Sequence, residues 1–216
     1  TYQYQIWDWY MLPFYLGKAT WTEPYFDEGG GNVLMVTYAI PCFAGGRTNE
    51  FLGIVTCDVS LDWLNDLMDS LPVGQKGYPI LISSIGTYIT HVRKDFIINE
   101  TVFSVSEENK NATLLDFSRR MTHGETGFGE LISLATGVDS WFAYAPVPST
   151  RWSVGLAVLA LDLGKGALAA WVGDRLGGPG GAAVGSVAVA IGHVYPVWLG
   201  FVGGKGVATA VGSYLF

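Results

Sequence analysis

The stretch Arg151-Trp-Ser-Val-Gly-Leu-Ala-Val-Leu-Ala-Leu-Asp-Leu-Gly-Lys-Gly166 is where the sequence changes from one kind of pattern to another. Residues before Val158 are acidic, aromatic and strand-patterned, whereas those after Leu161 form a glycine-rich apolar tract. Nothing between Val158 and Leu161 has the composition of a linker. The sequence therefore predicts two units of different origin that are joined near these residues.

Charge is divided unequally between the two units. The 216 residues carry a formal net charge of −7 and a mean hydropathy of +0.31. Up to Leu161 there are 17 Asp and Glu against 9 Lys and Arg, a net charge of −8, and the remainder has 2 against 3, a net charge of +1. An acidic surface repels phosphate backbones, and no basic stripe with interleaved aromatic residues occurs. We therefore expect no nucleic-acid partner.

The first unit alternates short runs rich in Val, Ile, Thr and Tyr with Gly, Pro and Asn, a pattern typical of strands and turns. One amphipathic helix is predicted among them, over Ser60–Ser70, with Ser60 as its N-cap. The pattern predicts an α+β fold in which a PAS-like antiparallel sheet presents a pocket on one side. The predicted strands are Val33–Ile40, Phe51–Val59, Tyr78–Ile82, Thr87–His91, Gly129–Leu134, Ser140–Pro146 and Trp152–Val158.

Several separated motifs of the first unit occur in the order found in one family. They are Trp21-Thr-Glu-Pro-Tyr-Phe-Asp-Glu-Gly-Gly-Gly-Asn32, Met35-Val-Thr-Tyr-Ala-Ile-Pro41, Gly53-Ile-Val-Thr-Cys-Asp-Val-Ser-Leu61, Gly77-Tyr-Pro-Ile-Leu-Ile-Ser-Ser-Ile-Gly-Thr87 and Arg151-Trp-Ser-Val-Gly155. Residues 1–158 thereby resemble the bacterial double Cache domains, which are extracytoplasmic sensors of chemoreceptors, histidine kinases and membrane-bound PP2C-type phosphatases. The phosphatase versions are the most similar.

That resemblance implies an organisation and a location. It implies a membrane-distal subdomain over residues 1–75 and a membrane-proximal one over residues 76–158, both outside the cytoplasm at the bacterial inner membrane. The long N-terminal helix and first strands of the family have no counterpart here. We therefore expect the membrane-distal subdomain to be truncated at its N-terminus.

The resemblance also implies a ligand pocket. Amino-acid-binding members line it with an Arg-x-Trp-Tyr motif, a later Tyr-x-Asp and a further Asp, but Trp7 stands at the arginine position here. An arginine would clamp a carboxylate, whereas aspartates and aromatic rings suit an ammonium group. We expect a cationic or amine ligand, or no amino acid at all; the alternative is that the aromatic residues are core and Asp58 is a turn residue. The matching positions are Trp9, Tyr10, Tyr25, Asp27 and Asp58.

Other polar residues of the first unit predict no chemistry. Cys42 and Cys57 lie in neighbouring predicted strands, where they form either a cross-strand disulfide or two buried small apolar residues, and we favour the second interpretation. Neither His91 nor His123 has a nucleophile with an oriented base, so both are expected to be solvated surface residues. The acidic residues around Gly29–Gly31 lack the spacing of a calcium loop, so no metal or cofactor is expected.

The second unit is patterned for a membrane. From Ala182 to Val202 the chain is apolar apart from Ser186 and His193, and it is long enough to cross a bilayer core of about 30 Å. An earlier apolar stretch, Gly155–Gly173, is predicted as a second helix, and Gly177–Gly181 is predicted to connect the two. This unit is therefore expected to be all-α and of membrane type.

The sequence Gly203-Gly-Lys-Gly-Val-Ala-Thr209 supplies backbone amides, a lysine and a hydroxyl, which together favour an anion site. It is not a Walker A loop, because no Ser or Thr follows the lysine. With Asp162-Leu-Gly-Lys-Gly166 and Gly192-His-Val-Tyr-Pro-Val-Trp-Leu-Gly-Phe-Val202, it makes residues 161–216 closely resemble the acyl-phosphate:glycerol-3-phosphate acyltransferase (PlsY) family of inner-membrane enzymes of phospholipid synthesis. The resemblance implies that the phosphate of glycerol-3-phosphate is held by His193, Gly203, Gly204, Lys205, Gly206 and Thr209.

Two functions of different class follow from these patterns. The favoured one, which covers more of the chain, is a small-molecule sensor of a bacterial membrane receptor whose effector is missing. The alternative is a membrane acyltransferase, but its Ser-x-Asn-x-Gly loop is absent and its last conserved loop lies beyond Phe216, so we expect no acyl transfer from this chain alone. Because the enzyme-like segment begins where a receptor's exit helix is expected, we interpret the join as a chimeric gene prediction or assembly join rather than a natural fusion.

Overall fold

The computed structural model describes residues 3–45, 50–71, 73, 77–194, 210 and 213, with side chains left out at 159–164 and 192–194. The helices are α1 (Asp8–Leu16), α2 (Leu61–Asp69), α3 (Val102–Glu108), α4 (Ala112–Thr122) and α5 (Ala160–Val194), and Tyr4–Ile6 and Lys94–Phe96 are short 3-10 helices. The strands are β1 (Thr20–Trp21), β2 (Tyr25–Phe26), β3 (Leu34–Phe43), β4 (Phe51–Ser60), β5 (Tyr78–Ile82), β6 (Tyr88–Thr90), β7 (Gly127–Ile132), β8 (Asp139–Val147) and β9 (Trp152–Leu159).

The strands form two antiparallel sheets from separate stretches of the chain. In the first sheet, β1 and β2 pair with successive parts of β3, and β4 pairs with β3 through nine residue pairs. The second sheet has the order β6-β5-β9-β8-β7. Each of the seven predicted strands is present, and the predicted α+β antiparallel fold is confirmed. Helices α1, α3 and α4 are additions that the sequence pattern did not predict.

Helix α2 packs against both sheets. Ser60 caps its N-terminus by accepting a hydrogen bond from the backbone N–H of Asp62 at 3.2 Å, as predicted. The apolar face of α2 is buried in a core shared by β3 of the first sheet and β5 and β6 of the second. Trp21 and Trp152 join the sheets at another point, with ring centroids 4.8 Å apart. The residues of this shared core are Val36, Leu61, Leu64, Met68, Leu81, Ile89, Ile97 and Trp152.

The opposite face of the second sheet is covered by α3 and α4. Thr101 and Ser104 form a capping box at the start of α3, and the side chain of Asn111 caps α4 by accepting from the N–H of Leu114 at 3.0 Å. Both helices bury apolar side chains against this face. Strand β5 of the second sheet is therefore packed on both sides, whereas Phe128, Glu130 and Ile132 of the edge strand β7 are exposed. Its helix-facing core includes Ile80, Ile82, Tyr88, Val102, Val105, Leu114, Phe117, Met121, Phe142 and Tyr144.

Helix α5 folds back on itself. Its backbone leaves helical geometry at Gly177 and Gly178, which confirms the connection predicted within Gly177–Gly181. A Cβ atom added to Gly173 would lie 2.2 Å from the carbonyl oxygen of Gly181, and one added to Gly181 would lie 2.1 Å from that of Gly173. The two arms of α5 therefore touch backbone to backbone, which only glycine permits at these positions.

The start of α5 differs from the prediction. Residues 155–159 continue β9, because they pair with β5 and β8, so the helix begins at Ala160 rather than at Gly155. The predicted span Ala182–Val202 starts in the second arm of α5, and from residue 195 onward it lies outside the described residues. Among the described residues, the structure contains no helix whose length and apolarity would suffice for a membrane crossing.

The two cysteines are both free thiols. Cys42 lies opposite Gly53, and Cys57 lies opposite Tyr38, so the two are not cross-strand partners. The preference for two buried cysteines was wrong, since Cys42 is half-buried and Cys57 is exposed. Cys57 lies on β4, an edge strand that pairs only with β3 among the described strands.

Truncating a side chain of the shared core should lower the stability of the fold. Replacing the fully buried Ile89 with Ala should lower the free energy of unfolding by about 2–5 kcal/mol, because it leaves a cavity between α2 and the second sheet. Ile132→Ala is the matched control, since Ile132 is 55% exposed, and it should cost less than about 1 kcal/mol. Urea denaturation of the full chain followed by tryptophan fluorescence measures both, and equal losses would contradict the assignment of this core.

Candidate functional site

Three polar side chains on neighbouring strands form a hydrogen-bonded chain. The hydroxyl of Thr37 donates to Oδ1 of Asp58 at 2.8 Å, and the Tyr25 hydroxyl lies 2.8 Å from the same Thr37 oxygen. Because the single hydrogen of Thr37 is used toward the carboxylate, the Tyr25 hydroxyl is the donor to Thr37. The direction is therefore Tyr25 to Thr37 to Asp58, and it ends on a carboxylate.

The register of strands β2, β3 and β4 brings these three side chains together. Thr37 of β3 lies directly opposite Asp58 of β4, and Tyr25 of β2 lies opposite Met35, two residues from Thr37. Residues two apart on a strand share a face, so all three side chains meet on one side of the sheet. Thr37 is fully buried and its backbone N–H donates to the Thr22 hydroxyl at 3.0 Å, so the middle of the chain is fixed.

The Asp58 end of this hydrogen-bonded series is open to solvent. Asp58 is exposed and Tyr25 is half-buried, so a ligand can reach the carboxylate. The Trp7 ring lies beside the Tyr25 ring, with centroids 5.7 Å apart. An oriented carboxylate can accept hydrogen bonds from an ammonium group, and aromatic ring faces can attract such a group as well.

The other predicted ligand residues lie elsewhere. Trp9 and Tyr10 are on α1, where Tyr10 packs edge-on against Phe51 at 6.1 Å between centroids, at the far end of β4 from Asp58. The carboxylate of Asp27 accepts from the N–H of Gly31 and closes the glycine-rich turn between β2 and β3. Of the five predicted residues, the structure links Tyr25 with Asp58, whereas Trp9, Tyr10 and Asp27 contact other residues.

Thr37 is the residue that sequence reasoning missed. A threonine inside a strand is ordinary, because β-branched residues favour strands. The available signal was the register: if Val36 and Val59 face the core as a pair, Thr37 and Asp58 form the next pair and face the other way.

His91 is buried, which corrects the prediction of a solvated surface residue. It is 4% exposed and packs among the rings of Tyr78, Tyr88 and Phe96, with centroids 4.9–5.6 Å away. Its Nδ1 accepts a hydrogen bond from the backbone N–H of Arg93 at 2.9 Å, so this nitrogen carries no proton. Burial lowers the pKa of the His91 imidazole from 6.5 to about 4. His123, in contrast, is exposed as predicted.

The buried histidine predicts an acid sensitivity. Unfolded His91 takes up a proton below about pH 6.5, whereas folded His91 does so only near pH 4, so the unfolded state is favoured as the pH falls between these values. Between pH 7 and pH 5 this contribution should lower the free energy of unfolding by about 2 kcal/mol. His91→Gln should remove that part of the pH dependence in urea denaturation, and His123→Gln should keep it. An unchanged pH dependence in His91→Gln would refute the assignment.

The predicted phosphate-binding loop cannot be placed. Gly203, Gly204, Lys205, Gly206 and Thr209 lie outside the described residues, and only the backbone of His193 is described, near the end of α5. Their role stays a prediction from sequence.

Comparison with known proteins finds a different family at each end of the chain. Residues 1–66 match the family model of the methyl-accepting chemotaxis protein-like first PDC sensor domain, and residues 143–216 match that of glycerol-3-phosphate acyltransferase. The chemoreceptor PctB of Pseudomonas aeruginosa is 30% identical over 164 residues, which are 70% of this chain and 25% of PctB. A glycerol-3-phosphate acyltransferase of Symbiobacterium thermophilum is 48% identical over 64 residues, which are 30% of this chain and 32% of that enzyme. The chain thus spans only a quarter to a third of these relatives.

Solved structures agree on the sensor fold. The extracellular domain of the candidate histidine kinase mmHK1S-Z3 matches with a TM-score of 0.64 and 29% identity, over 74% of this chain and 56% of that domain. The ligand-binding domain of PctB, solved with L-Arg, matches with a TM-score of 0.55 and 25% identity, over 74% of this chain and 62% of that domain. These findings confirm both family resemblances.

Proposed function

Because this chain joins a sensor domain of the chemoreceptor type to a glycerol-3-phosphate acyltransferase-like segment, we propose that residues 1–158 bind a small molecule outside the cytoplasm of a bacterium. The ligand carries an ammonium group, and Asp58 accepts its hydrogen bonds. Binding at this domain is the input of a membrane receptor. The division into subdomains over residues 1–75 and 76–158 belongs to the same proposal.

The observation that carries this proposal is the chain from Tyr25 through Thr37 to Asp58. An exposed aspartate on a strand normally turns freely in water, whereas this one is held by a buried hydroxyl at 2.8 Å. Holding the carboxylate in place reduces the entropy lost when a ligand binds. A second carboxylate, Asp27, lies close in sequence to Tyr25 and still has an oxygen available beyond its turn contact.

The ligands of solved relatives guide the choice of ligand class. The ligand-binding domain of PctB was solved with L-Arg and with L-Gln, and both ligands carry an α-ammonium and an α-carboxylate. Trp7 cannot clamp a carboxylate as an arginine would. We therefore favour amines without a carboxylate over amino acids at this site.

A matched pair of aspartate variants tests the amine site. Asp58→Asn should weaken the binding of putrescine or histamine to the purified full chain about tenfold or more in isothermal titration calorimetry, because a charge-assisted hydrogen bond becomes neutral. Asp69→Asn removes an equally exposed carboxylate at the end of α2 and should leave the affinity unchanged. Thr37→Val should give an intermediate loss. Saturable amine binding that Asp58→Asn leaves intact would refute the site.

A second function is proposed for residues 161–216, supported by the acyltransferase family match over residues 143–216. We propose that this segment binds the phosphate of glycerol-3-phosphate at the inner membrane, through Lys205 and its neighbouring backbone amides, without completing acyl transfer. The change from strand to helix at Leu159–Ala160 supports a join near these residues.

Binding and turnover distinguish this segment from a complete enzyme. Lys205→Ala should weaken glycerol-3-phosphate binding to the detergent-purified full chain about tenfold or more, since the phosphate loses a charged partner. Arg175→Gln is the control, because Arg175 is an exposed cation stacked over Trp171. No acyl phosphate should be consumed by either protein or by the unaltered chain. Turnover by the unaltered chain would contradict the proposal that this segment binds glycerol-3-phosphate without acyl transfer.

A further inference from the structure

We propose that the second sheet carries a separate binding site for a small carboxylate, centred on Arg151. A cleft of about 410 Å³ opens between the β5–β6 turn, the C-terminal end of α4 and the β8–β9 turn. This volume falls within the range of about 300–1,000 Å³ that is usual for small-molecule sites. The cleft, here called the Arg151 cleft, belongs to the second sheet, whereas Asp58 belongs to the first.

The walls of the Arg151 cleft are fixed by internal hydrogen bonds. The Ser153 hydroxyl donates to the backbone carbonyl of Met121 at 2.7 Å, which ties the start of β9 to the end of α4. The Ser83 hydroxyl accepts from the backbone N–H groups of Ile85 and Thr87 at 3.3 and 3.1 Å, which holds the β5–β6 turn. Both serines are buried, so the three segments form a preformed frame.

Arg151 has the features of a ligand-binding cation. Its backbone φ is 63°, in the left-handed region that non-glycine residues adopt at a cost. Its side chain lines the cleft and is exposed, and within the described residues its guanidinium has neither an ion pair nor a hydrogen bond to protein. Of the other arginines in this part of the chain, Arg93 and Arg120 are paired with Asp95 and Glu125, whereas Arg119 of α4 has no ion pair among the described residues. Arg151 is held in a strained conformation with its guanidinium unpaired among the described residues, and such a group is suited to bind a carboxylate.

Other lining groups define the ligand class. The Nδ1 of His123 lies 2.6 Å from the carbonyl oxygen of Arg119 and donates to it, which leaves Nε2 as the ring nitrogen available to a ligand. The exposed hydroxyl of Ser84 adds a further polar group. Ile85, Pro146 and Val147 form apolar walls in the same cleft. The guanidinium of Arg151 can bind a carboxylate while the apolar walls contact a short hydrocarbon chain. An inorganic anion has no apolar part to contact these walls, so a small organic carboxylate fits the cleft better.

Two cations in matched backbone conformations allow a sharp test. Propionate is titrated at constant ionic strength into the purified full chain, and binding is followed by calorimetry. Arg151→Asn removes the guanidinium but keeps a residue that tolerates φ near 60°. It should weaken propionate binding about tenfold or more. Lys110→Asn is the control, since Lys110 is an exposed cation with φ 52° in another turn, and it should leave binding unchanged.

Further outcomes decide the ligand class and the independence of the site. Sulfate at the same ionic strength should not displace propionate; displacement at equal concentration would overturn the carboxylate assignment. Asp58→Asn should leave propionate binding unchanged, so failure of the amine site and failure of the Arg151 cleft are distinguishable. No saturable propionate binding, or equal binding by Arg151→Asn and Lys110→Asn, would overturn the proposal.

Discussion

The burial of strand β5 on both faces is the constraint on which the rest of the structure depends. In β5, Ile80 and Ile82 point toward α3 and α4, while Leu81 between them points toward α2 and the first sheet. Alternate residues of a strand face opposite ways, so a single five-residue strand contributes to two cores. Neither layer could be removed without exposing half of that strand. The position of the first sheet, and hence of Asp58, follows from this packing.

The candidate amine site depends on register as strictly as the core does. Val36 is fully buried in the shared core, and Thr37, its neighbour, faces the other way and meets Asp58. A slip of one residue between β3 and β4 would expose Val36 and separate the threonine from the aspartate. The same pairing that stabilises the fold therefore orients the carboxylate. This coupling explains how an exposed aspartate on an edge strand becomes a fixed acceptor.

Sequence patterns predicted the strands well because alternation and turn residues are local signals. They missed α1, since Pro13 and its many aromatic residues give this helix no polar face. Helix α4 was predictable in principle, because Asn111 is a good cap and Leu114, Phe117 and Met121 recur at helical spacing. The burial of His91 was not predictable locally, since the rings around it come from three separate segments. The same holds for Thr37, whose role depends on a partner 21 positions away.

The two candidate sites of the sensor unit have opposite charge and lie on different sheets. Asp58 offers a carboxylate linked through Thr37 to Tyr25, and Arg151 offers a guanidinium between two turns and a helix end. An amino acid needs both kinds of group in one pocket, because its ammonium and carboxylate are attached to the same carbon. With a tryptophan at the arginine position of the first site, the two proposals assign amines and carboxylates to different sites of this chain. A domain built in this way is suited to sense amines and carboxylates as different molecules rather than as one zwitterion.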